Sequence, residues 1–382
     1  MKIALVTWYG ASNFGTGLQA YALMRYLMNK GNEVRLVQYF NPKYTKNTAI
    51  SMAYYAKRKL GAVKGKLFPR YKKEYKEMSL ARRGINKQYM KRYLSMYPAV
   101  STRRQYKKLM SSMDCFITGS DQIWNPYHSN AFYLLNFVEG KPRYAYASSI
   151  GVNELPDEFK DTYRTNLCKF RKIGLREQRG ADIVNELLGE KKAIQVLDPT
   201  FLLKPTDWAD FAKEVNLNDI ELGSYMLVYT IGRRPEYPGF IKAMKEKYGI
   251  EKVVVARSHE GLPYTDVDMQ LTKIAPMHFI YLLRNARLVC TDSFHATALS
   301  INHNKNFVEL LRFDVNDVKS QNSRIYDVLA HYCLKERLYT GGTIPKEQID
   351  FTKSNEVLEN DRKKSYAFID ECLDDAAKQA KS

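Results

Sequence analysis

Short apolar runs alternate with amphipathic segments along most of the chain. The runs predict ten strands, which cover residues 2–8, 34–39, 114–118, 144–150, 172–175, 193–197, 225–231, 252–256, 286–290 and 307–311. Segments with apolar residues at helical spacing lie between many of these runs, and they cover residues 18–30, 176–188, 240–248, 276–285, 296–303 and 324–333. A strand followed by a helix and another strand implies a parallel sheet.

The alternation restarts near the middle of the chain, after Asp198-Pro199-Thr200. Proline cannot continue a helix and biases the preceding residue towards an extended conformation, so we place a domain boundary there. We therefore predict an α/β protein with two Rossmann-like domains facing across a cleft. The first domain covers residues 1–198 and the second 199–345, and a charged helical tail over 346–382 is expected to pack back on the first domain.

Residues 45–110 interrupt the pattern and hold most of the net charge of +19. From Lys57 to Lys108 there are eighteen Lys or Arg residues and two acids, a net charge of +16. Such a basic insertion in the first domain attracts anions, which favours a membrane surface or a diphosphate-linked acceptor as partner. We do not expect nucleic acid as a partner, because no nucleic-acid-binding motif accompanies the charge. The alternative is a solvated insertion that packs its tyrosines, such as Tyr89 and Tyr93, on the domain.

The remaining composition excludes several classes of protein. Hydrophobic residues make up 45% of the chain, which is typical of a globular protein, and no apolar run is long enough to span a bilayer. The five cysteines form no CxxC pair and the six histidines lack metal-ligand spacing, so we predict neither a disulfide framework nor a metal site. We expect a cytoplasmic protein and leave open a peripheral attachment to the inner face of the cell membrane.

The clearest candidate site follows the predicted strand at 286–290. Asp292, Ser293 and His295 lie there, between the carboxyl end of the strand and the start of a helix. Ligands of open α/β sheets bind at this edge, and a helix N-terminus favours an anion. The structural alternative makes Ser293 an N-cap and His295 an ordinary first-turn residue.

Polar residues also follow two strands of the first half. Gly15 and Gly17 would let backbone N–H groups approach a ligand, and Asn13 and Gln19 flank them; the alternative is a tight turn that needs glycine. The second group follows the strand at 114–118, and it consists of Ser120, Asp121, Gln122, Trp124 and Asn125. We interpret Asp121 as a base for a sugar hydroxyl, Ser120 and Gln122 as its supports, and Trp124 as a stacking face. The alternative is a turn at Asp121 with Trp124 in the core.

Four stretches resemble motifs of the polysaccharide pyruvyl transferase family. They are Ser12–Ala20, Thr118–Pro126, Val196–Phe201 and Thr291–Ser300, in the order in which that family has them. The resemblance implies a fold similar to the GT-B glycosyltransferases. It also implies transfer of a pyruvyl group from phosphoenolpyruvate to a sugar of a polysaccharide or its lipid-linked precursor, which forms a cyclic ketal. Phosphoenolpyruvate would be a co-substrate, with no further cofactor.

This chemistry requires an acid near neutral pKa and cations for a carboxylate and a phosphate. We assign His295 as general acid/base and Ser293, with the N–H groups after it, as a phosphate contact. Family members often have an arginine immediately before a Leu-His pair, but Ser293-Phe294 precede His295 here. Arg233, Arg234 and Arg324 are candidates for the missing arginine, with surface charge or a salt bridge as the alternative for each.

Two other functions remain open from the sequence. A GT-B-like glycosyltransferase with a nucleotide-sugar donor would share the architecture and a cationic cleft. A basic protein that binds an anionic glycan or a membrane without turnover would share the charge. Release of phosphate from phosphoenolpyruvate, or of UDP from a UDP-sugar, would distinguish these three functions.

Overall fold

The computed structural model describes residues 1–10, 13–41, 82, 84–128, 130–217, 222–257, 264–314 and 322–380. The first half contains a six-stranded sheet whose paired strands are all parallel. Its strands are β1 (Lys2–Val6), β2 (Glu33–Leu36), β3 (Cys115–Thr118), β4 (Arg143–Ser148), β5 (Lys172–Leu175) and β6 (Ala193–Gln195), in the order β2-β1-β3-β4-β5-β6. The strand order reverses between β1 and β3, which is where open α/β sheets bind ligands.

The second half repeats this plan with another six-stranded parallel sheet. Its strands are β7 (Tyr225–Tyr229), β8 (Lys252–Ala256), β9 (Met269–Leu271), β10 (Leu288–Thr291), β11 (Phe307–Leu310) and β12 (Leu338–Tyr339), in the order β12-β11-β10-β7-β8-β9. This is the strand order of dinucleotide-binding Rossmann sheets, and it reverses between β7 and β10. The predicted fold class, two Rossmann-like domains in a GT-B-like arrangement, is confirmed.

The helices connect the strands of each sheet. They are α1 (Phe14–Asn29), α2 (84–93), α3 (Arg103–Ser112), α4 (Asp157–Leu167), α5 (Gln178–Leu188), α6 (Pro205–Ala212), α7 (Tyr237–Tyr248), α8 (Pro276–Asn285), α9 (Phe294–Asn302), α10 (Ser323–His331) and α11 (Thr352–Gln379). Short 3₁₀ turns lie at Pro199–Phe201 and Lys335–Arg337. The first of these is the connection between the two halves, and its proline occupies the first turn.

An apolar interface joins the two halves on one side of the junction. The Phe14 ring, at the start of α1, stacks on Tyr229 and Phe279 of the second half, each with ring centroids 5.4 Å apart. Tyr21 on the same helix lies 4.3 Å from the Phe211 ring of α6. A single buried apolar cluster therefore runs through both halves. This packing brings the start of α1 against the second sheet.

The tail helix α11 lies against the first half. Arg171 and the Tyr144 hydroxyl both bind the Asp375 carboxylate of this helix. Lys172 pairs with Glu371 at 2.8 Å. Tyr26 stacks on Tyr366 with 5.0 Å between ring centroids. None of the helices among the described residues is long and apolar enough to cross a membrane.

Only part of the predicted basic insertion can be described. Residues 42–81 lie outside the described residues, whereas α3, which overlaps the end of the predicted range, is a crossover helix before β3. Tyr89 on α2 is fully buried and donates to the Gly17 carbonyl at 2.9 Å. Arg82 is also buried and donates to the Thr272 carbonyl at 2.6 Å. In its described part, the segment therefore packs on the core, as the solvated-insertion alternative expected of its tyrosines.

Candidate functional site

The turn after β10 is held by Asp292. Its carboxylate accepts hydrogen bonds from the Ile231 N–H at 2.7 Å, the Gly232 N–H at 2.6 Å and the Tyr237 hydroxyl at 2.8 Å. These bonds join the two strands that flank the reversal of strand order in the second sheet. Asp292 is thus fully engaged as a support, and the residues that follow it are presented to the junction between the halves.

Ser293 and His295 begin α9 at this junction. Ser293 is the N-cap residue, but its hydroxyl makes no cap hydrogen bond and has no partner among the described residues, although it is buried. The first N–H groups of a helix lack acceptors within the helix, so this end is suited to an anion. The structural alternative for Ser293 thus holds for its position but leaves its hydroxyl unused.

His295 is 8% exposed and lies against the first half. A Cβ atom on Gly15 would lie 2.4 Å from His295 Nδ1, so only glycine allows the α1 start to approach the imidazole this closely. Asn13 caps α1 by accepting from the Gly15 N–H at 3.1 Å, and its side-chain oxygen lies 3.3 Å from the Tyr229 hydroxyl. The backbone at Gly15, which we predicted to approach a ligand closely, therefore approaches the His295 side chain instead.

A buried carboxylate, Asp198, faces His295 from the connection between the halves. Its Oδ2 lies 3.5 Å from His295 Nε2, 3.2 Å from Arg176 Nη1 and 3.3 Å from the Ser120 hydroxyl. Its Oδ1 accepts from the Thr200 N–H at 3.0 Å and hydroxyl at 2.8 Å. Burial alone would raise the pKa of Asp198, but His295, Arg176 and the Thr200 N–H lower it below its ordinary value. Asp198 is therefore a buried carboxylate that the Arg176 guanidinium and the His295 imidazole share.

Arg176 follows β5 and completes this cluster. Its Nε donates to Glu177 at 2.9 Å, and its guanidinium lies 4.4 Å from the centre of the Phe294 ring. Burial alone would lower the pKa of Arg176, but the carboxylates of Glu177, Asp198 and Asp121 raise it. Its Nη2 is buried without a hydrogen-bond partner in the described structure. One guanidinium nitrogen is thus available to a ligand.

A cavity of about 600 Å³ opens beside this cluster. Arg176, Asp198 and Phe294 line it together with Arg324 of α10. Burial and the nearby charge of Arg176 lower the pKa of Arg324 to about 9. Two arginines from opposite halves therefore meet at one end of the cavity. Of the three predicted arginines, Arg324 is the one that lies beside the cluster of His295, Asp198 and Arg176, which we call the His295 cluster.

The other two predicted arginines lie elsewhere. Arg234 pairs with Glu236 and lies 3.6 Å from Asp314, and it donates to the Phe313 carbonyl at 2.7 Å. Arg233 is exposed and does not line the cavity. For Arg234, the salt-bridge alternative accounts for its contacts. Neither residue lies among the groups that contact His295 or Asp198.

The loop after β3 is built mainly from internal hydrogen bonds. Gln19 is fully buried, and its amide donates to the Trp8 carbonyl at 2.7 Å and accepts from the Ser120 N–H at 3.2 Å. Asp121 accepts from the Thr16 hydroxyl at 2.8 Å and from the Gln122 N–H at 2.9 Å. Gln19 therefore supports the loop instead of facing a ligand. Asp121 is connected through Thr16 to the helix start that contacts His295.

Trp124, Gln122 and Asn125 of this loop pack against neighbouring parts of the first half. The Trp124 ring is fully buried against Phe170 and its N–H donates to the Tyr133 carbonyl at 2.9 Å, so it offers no face to a sugar. The core alternative for Trp124 is correct. A Cβ on Gly151 would lie 2.3 Å from the Gln122 amide and 3.0 Å from that of Asn125, so both amides pack on this turn.

Two residues of the cluster, Asp198 and Arg176, were not predicted from the sequence as site residues. Asp198 belongs to one of the family-like stretches, but we interpreted it only as a domain boundary. Arg176 directly follows a predicted strand, and Asp121 and Asp292 lie within three residues of theirs, so the same criterion of polar residues at strand ends would have selected Arg176. No group of three His, Cys, Asp or Glu side chains suitable for a metal occurs among the described residues.

The fold and the cluster define a two-domain α/β protein of GT-B-like architecture, with a histidine, a carboxylate and an arginine at the domain junction. A family model described as polysaccharide pyruvyl transferase matches residues 13–311. The chain belongs to this family, as the four motifs indicated. The match includes every residue of the His295 cluster, whereas Arg324 and the tail lie beyond it. No curated protein sequence matches the chain at a significant level.

The chain is also similar in fold to solved structures of low sequence identity. UDP-GlcNAc 2-epimerase from Neisseria meningitidis bound to UDP-GlcNAc is 10% identical with a TM-score of 0.44, over 100% of this chain and 94% of that one. The epimerase from Methanocaldococcus jannaschii is 11% identical with a TM-score of 0.47, over 94% and 92%. ADP-heptose lps heptosyltransferase II from E. coli is 10% identical with a TM-score of 0.39, over 96% and 100%.

Proposed function

We propose that the protein transfers a pyruvyl group from phosphoenolpyruvate to a sugar of a cell-surface polysaccharide or its lipid-linked precursor, and forms a ketal. The observation that carries this proposal is a pair of buried donors beside His295 that have no acceptor among the described residues, namely Arg176 Nη2 and Ser293 Oγ. Buried donors normally have partners, so a pair left open points to an anionic ligand. Phosphoenolpyruvate carries a carboxylate and a phosphate.

The arginines and the start of α9 would hold the two anionic groups of the donor. Arg176 and Arg324 line the same cavity from opposite halves, and arginine binds carboxylate or phosphate through two parallel bonds. The Ser293 hydroxyl and the first N–H groups of α9 suit the phosphate. We infer that Arg324 replaces the arginine that family members often have just before the Leu-His pair.

His295 would act as the general acid. Protonation of the methylene carbon of the donor makes the adjacent carbon electrophilic, a sugar hydroxyl adds to that carbon, and phosphate leaves. A second hydroxyl of the same sugar then closes the ketal. Asp198, 3.5 Å from His295 Nε2, would act as a positioning residue that orients the imidazole and balances its charge when it is protonated. Neither a metal nor another cofactor is part of this proposal.

We further infer that the acceptor is presented at an anionic membrane surface. The exposed side of α3 carries Arg103, Arg104, Lys107 and Lys108. Each basic residue near an anionic bilayer contributes about 1 kcal/mol, screened by salt. The protein should float with anionic vesicles at low salt and be released as the salt concentration rises. Equal flotation with neutral vesicles would argue against this partner.

The activity is tested by incubating the full chain with phosphoenolpyruvate and a panel of p-nitrophenyl hexosides. We expect phosphate release that depends on a hexoside, together with a ketal product seen by mass spectrometry. The same panel with UDP-sugars should give no UDP. Release of UDP would favour the nucleotide-sugar alternative, and absence of both reactions would favour a non-enzymatic role.

A further inference from the structure

The cavity beside the His295 cluster is larger than one small donor requires. Its volume of about 600 Å³ lies in the range that holds drug-sized ligands. Arg176, Arg324 and Phe294 form one end of it, whereas His331 of α10 and Asp361 of α11 pair with each other at the other. Arg324 and His331 lie about 10 Å apart along the helix axis, given the rise of an α-helix. Space therefore remains beyond the donor.

One face of α10 forms a wall of this space. Arg324, Asp327, Val328 and His331 recur at helical spacing and all line the cavity. The wall changes character along its length, because the cationic Arg324 is followed one turn later by the Asp327 carboxylate. The first part suits an anion and the second part repels one. The two parts of the wall therefore select ligands of different chemistry.

Asp327 has no hydrogen bond or ion pair with any other described residue. Asp327 is exposed to solvent where it lines the cavity, and partial burial of its carboxylate together with the charge of Glu177 raises its pKa. By contrast, Asp361 is bound to His331 and lies 3.8 Å from Lys364. Asp327 is thus a carboxylate at the cavity wall whose acceptor capacity is open to a ligand with hydroxyl groups.

A second side chain points to the same kind of ligand. Tyr332 lines the cavity and is 2% exposed, yet its hydroxyl has no hydrogen-bond partner among the described residues. A buried phenol normally finds a partner, because an unpaired one has lost its bond to water. The Tyr332 ring lies 5.5 Å from that of Phe201, which also lines the cavity. The hydroxyl therefore lies beside an apolar surface of the kind that packs against a sugar face.

We propose that the part of the cavity between α10 and α11 binds the acceptor sugar, with one hydroxyl on the Asp327 carboxylate and another on the Tyr332 hydroxyl. This inference rests on the proposed function, because that function supplies the reason for a sugar beside the donor. A carboxylate and a phenol recognise neutral hydroxyls and disfavour a second anion. Asp327 and Tyr332 are thus specificity-determining residues for the acceptor, and the arginine end remains for the donor.

The test uses Asp327→Asn and Tyr332→Phe in the full chain, with Asp374→Asn and Tyr326→Phe as matched controls. Asp374 is exposed on α11 and Tyr326 is 41% exposed on α10, and neither lines the cavity. Binding of p-nitrophenyl hexosides is measured by saturation-transfer NMR in the presence of phosphate, and turnover is measured with phosphoenolpyruvate. The thermal midpoint of each variant reports on folding.

We expect Asp327→Asn to raise the acceptor KM about tenfold to a hundredfold, and Tyr332→Phe by up to about tenfold, with the phosphoenolpyruvate KM unchanged. The controls should behave as wild type. Tyr332→Phe should not lower the thermal midpoint, because it removes a hydroxyl without a partner. An unchanged acceptor KM in both variants would overturn the inference, as would a rise in the phosphoenolpyruvate KM alone.

The two proposals fail in different ways. If the wild type forms no ketal, the proposed function fails, and the NMR binding arm still decides the inference. Hexoside binding that both variants lose supports the sugar subsite. Hexoside binding that neither variant changes, or no binding to the wild type, overturns it.

Discussion

Two loops of similar sequence character follow strands at the two sides of the domain junction. The loop after β3 carries Ser120 and Asp121, and the turn after β10 carries Ser293 and His295. In the first, Ser120 donates to the Ala147 carbonyl at 2.9 Å and Asp121 accepts two hydrogen bonds. In the second, the Ser293 hydroxyl has no partner among the described residues, and His295 Nε2 faces only Asp198 at 3.5 Å.

The difference separates residues that support the structure of a loop from residues that can contact a ligand. Polar groups whose hydrogen bonds are all made within the protein hold a loop in one conformation. Buried polar groups with unused hydrogen-bonding capacity are available to bind a ligand. The loop after β3 belongs to the first kind, as does Asp292 in the second half. Ser293 and His295 belong to the second kind. The comparison can be tested by changing residues on both sides.

The largest expected effect is that of His295→Ala. As general acid, His295 should contribute about 10²- to 10⁴-fold to turnover. The kcat for ketal formation from phosphoenolpyruvate measures this loss, and circular dichroism should show an intact fold. Turnover close to wild type would place the acid elsewhere and remove the contrast between the two loops.

Asp198→Asn should reduce both stability and activity. The substitution removes the carboxylate shared by His295 and Arg176 and leaves the Arg176 charge buried with less compensation. Loss of one partner of a buried ion pair costs about 3–5 kcal/mol. Urea unfolding measures the change in the free energy of unfolding. Asp161→Asn is a suitable control, because Asp161 pairs only with exposed Arg164 at 3.3 Å. Equal stability of the two variants would contradict the role of Asp198.

Gly15→Ala should lower turnover about tenfold to a hundredfold, because a Cβ 2.4 Å from His295 Nδ1 forces the imidazole to move. The effect should appear in kcat with a modest loss of thermal stability. Gly239→Ala provides the control, since a Cβ there meets nothing within 4 Å. If both variants are as active as wild type, the approach of α1 does not position His295.

His303, the C-cap residue of α9, should make the free energy of unfolding depend on pH. Burial and the cations Arg284, Lys305 and Arg362 lower the pKa of His303 to about 4. Above pH 6.5 both states are neutral, but between pH 6.5 and 4 the unfolded chain binds a proton that the folded protein does not. The free energy of unfolding should therefore fall by about 3 kcal/mol over this range. Urea unfolding of His303→Gln should show a smaller slope, while the lowered pKa of His278 retains part of it.

The smallest effect is expected for Asp121→Asn. An asparagine oxygen can still accept from Thr16 or Gln122, so we expect turnover to fall about tenfold or less. We first interpreted Asp121 as a base, and a base would give a loss similar to that of His295→Ala. Steady-state kinetics of both variants in one assay distinguish these roles. A loss of about 10²-fold for Asp121→Asn would restore the base and make the two loops equivalent.

Much of the fold followed from local pattern. All ten predicted strands are present in the structure. They could be recognised in the sequence because buried parallel strands are nearly continuous apolar runs. The strands β9 and β12 were not predicted, because they are three and two residues long and therefore too short for a periodic signal. The helices α3, α4 and α6 were not predicted either. In α3, only Tyr106 and Leu109 are buried, so a predominantly polar helix offered little apolar pattern.

The candidate site was predicted from the sequence less completely than the fold. His295, Ser293 and Gly15 were selected from their positions next to strands and helices, and the structure brings them together. Trp124 and Gln19 were selected by the same rule, but their side chains are fully buried. Arg176 and Asp198 were overlooked as site residues, because Arg176 was interpreted only as a helix start and Asp198 only as a domain boundary, and their ion pair forms between segments 22 residues apart.

The sequence by itself determined the α/β class, the two repeated sheets and the positions of polar residues at strand ends. These properties depend on residues close together in the chain, where periodicity and turn chemistry act. Only the tertiary structure decided which of those polar residues have complete hydrogen bonds and which do not. That outcome depends on contacts between distant segments, such as Gly15 against His295 and Asp198 between His295 and Arg176. Local sequence cannot encode it, because each partner is supplied by a different part of the fold.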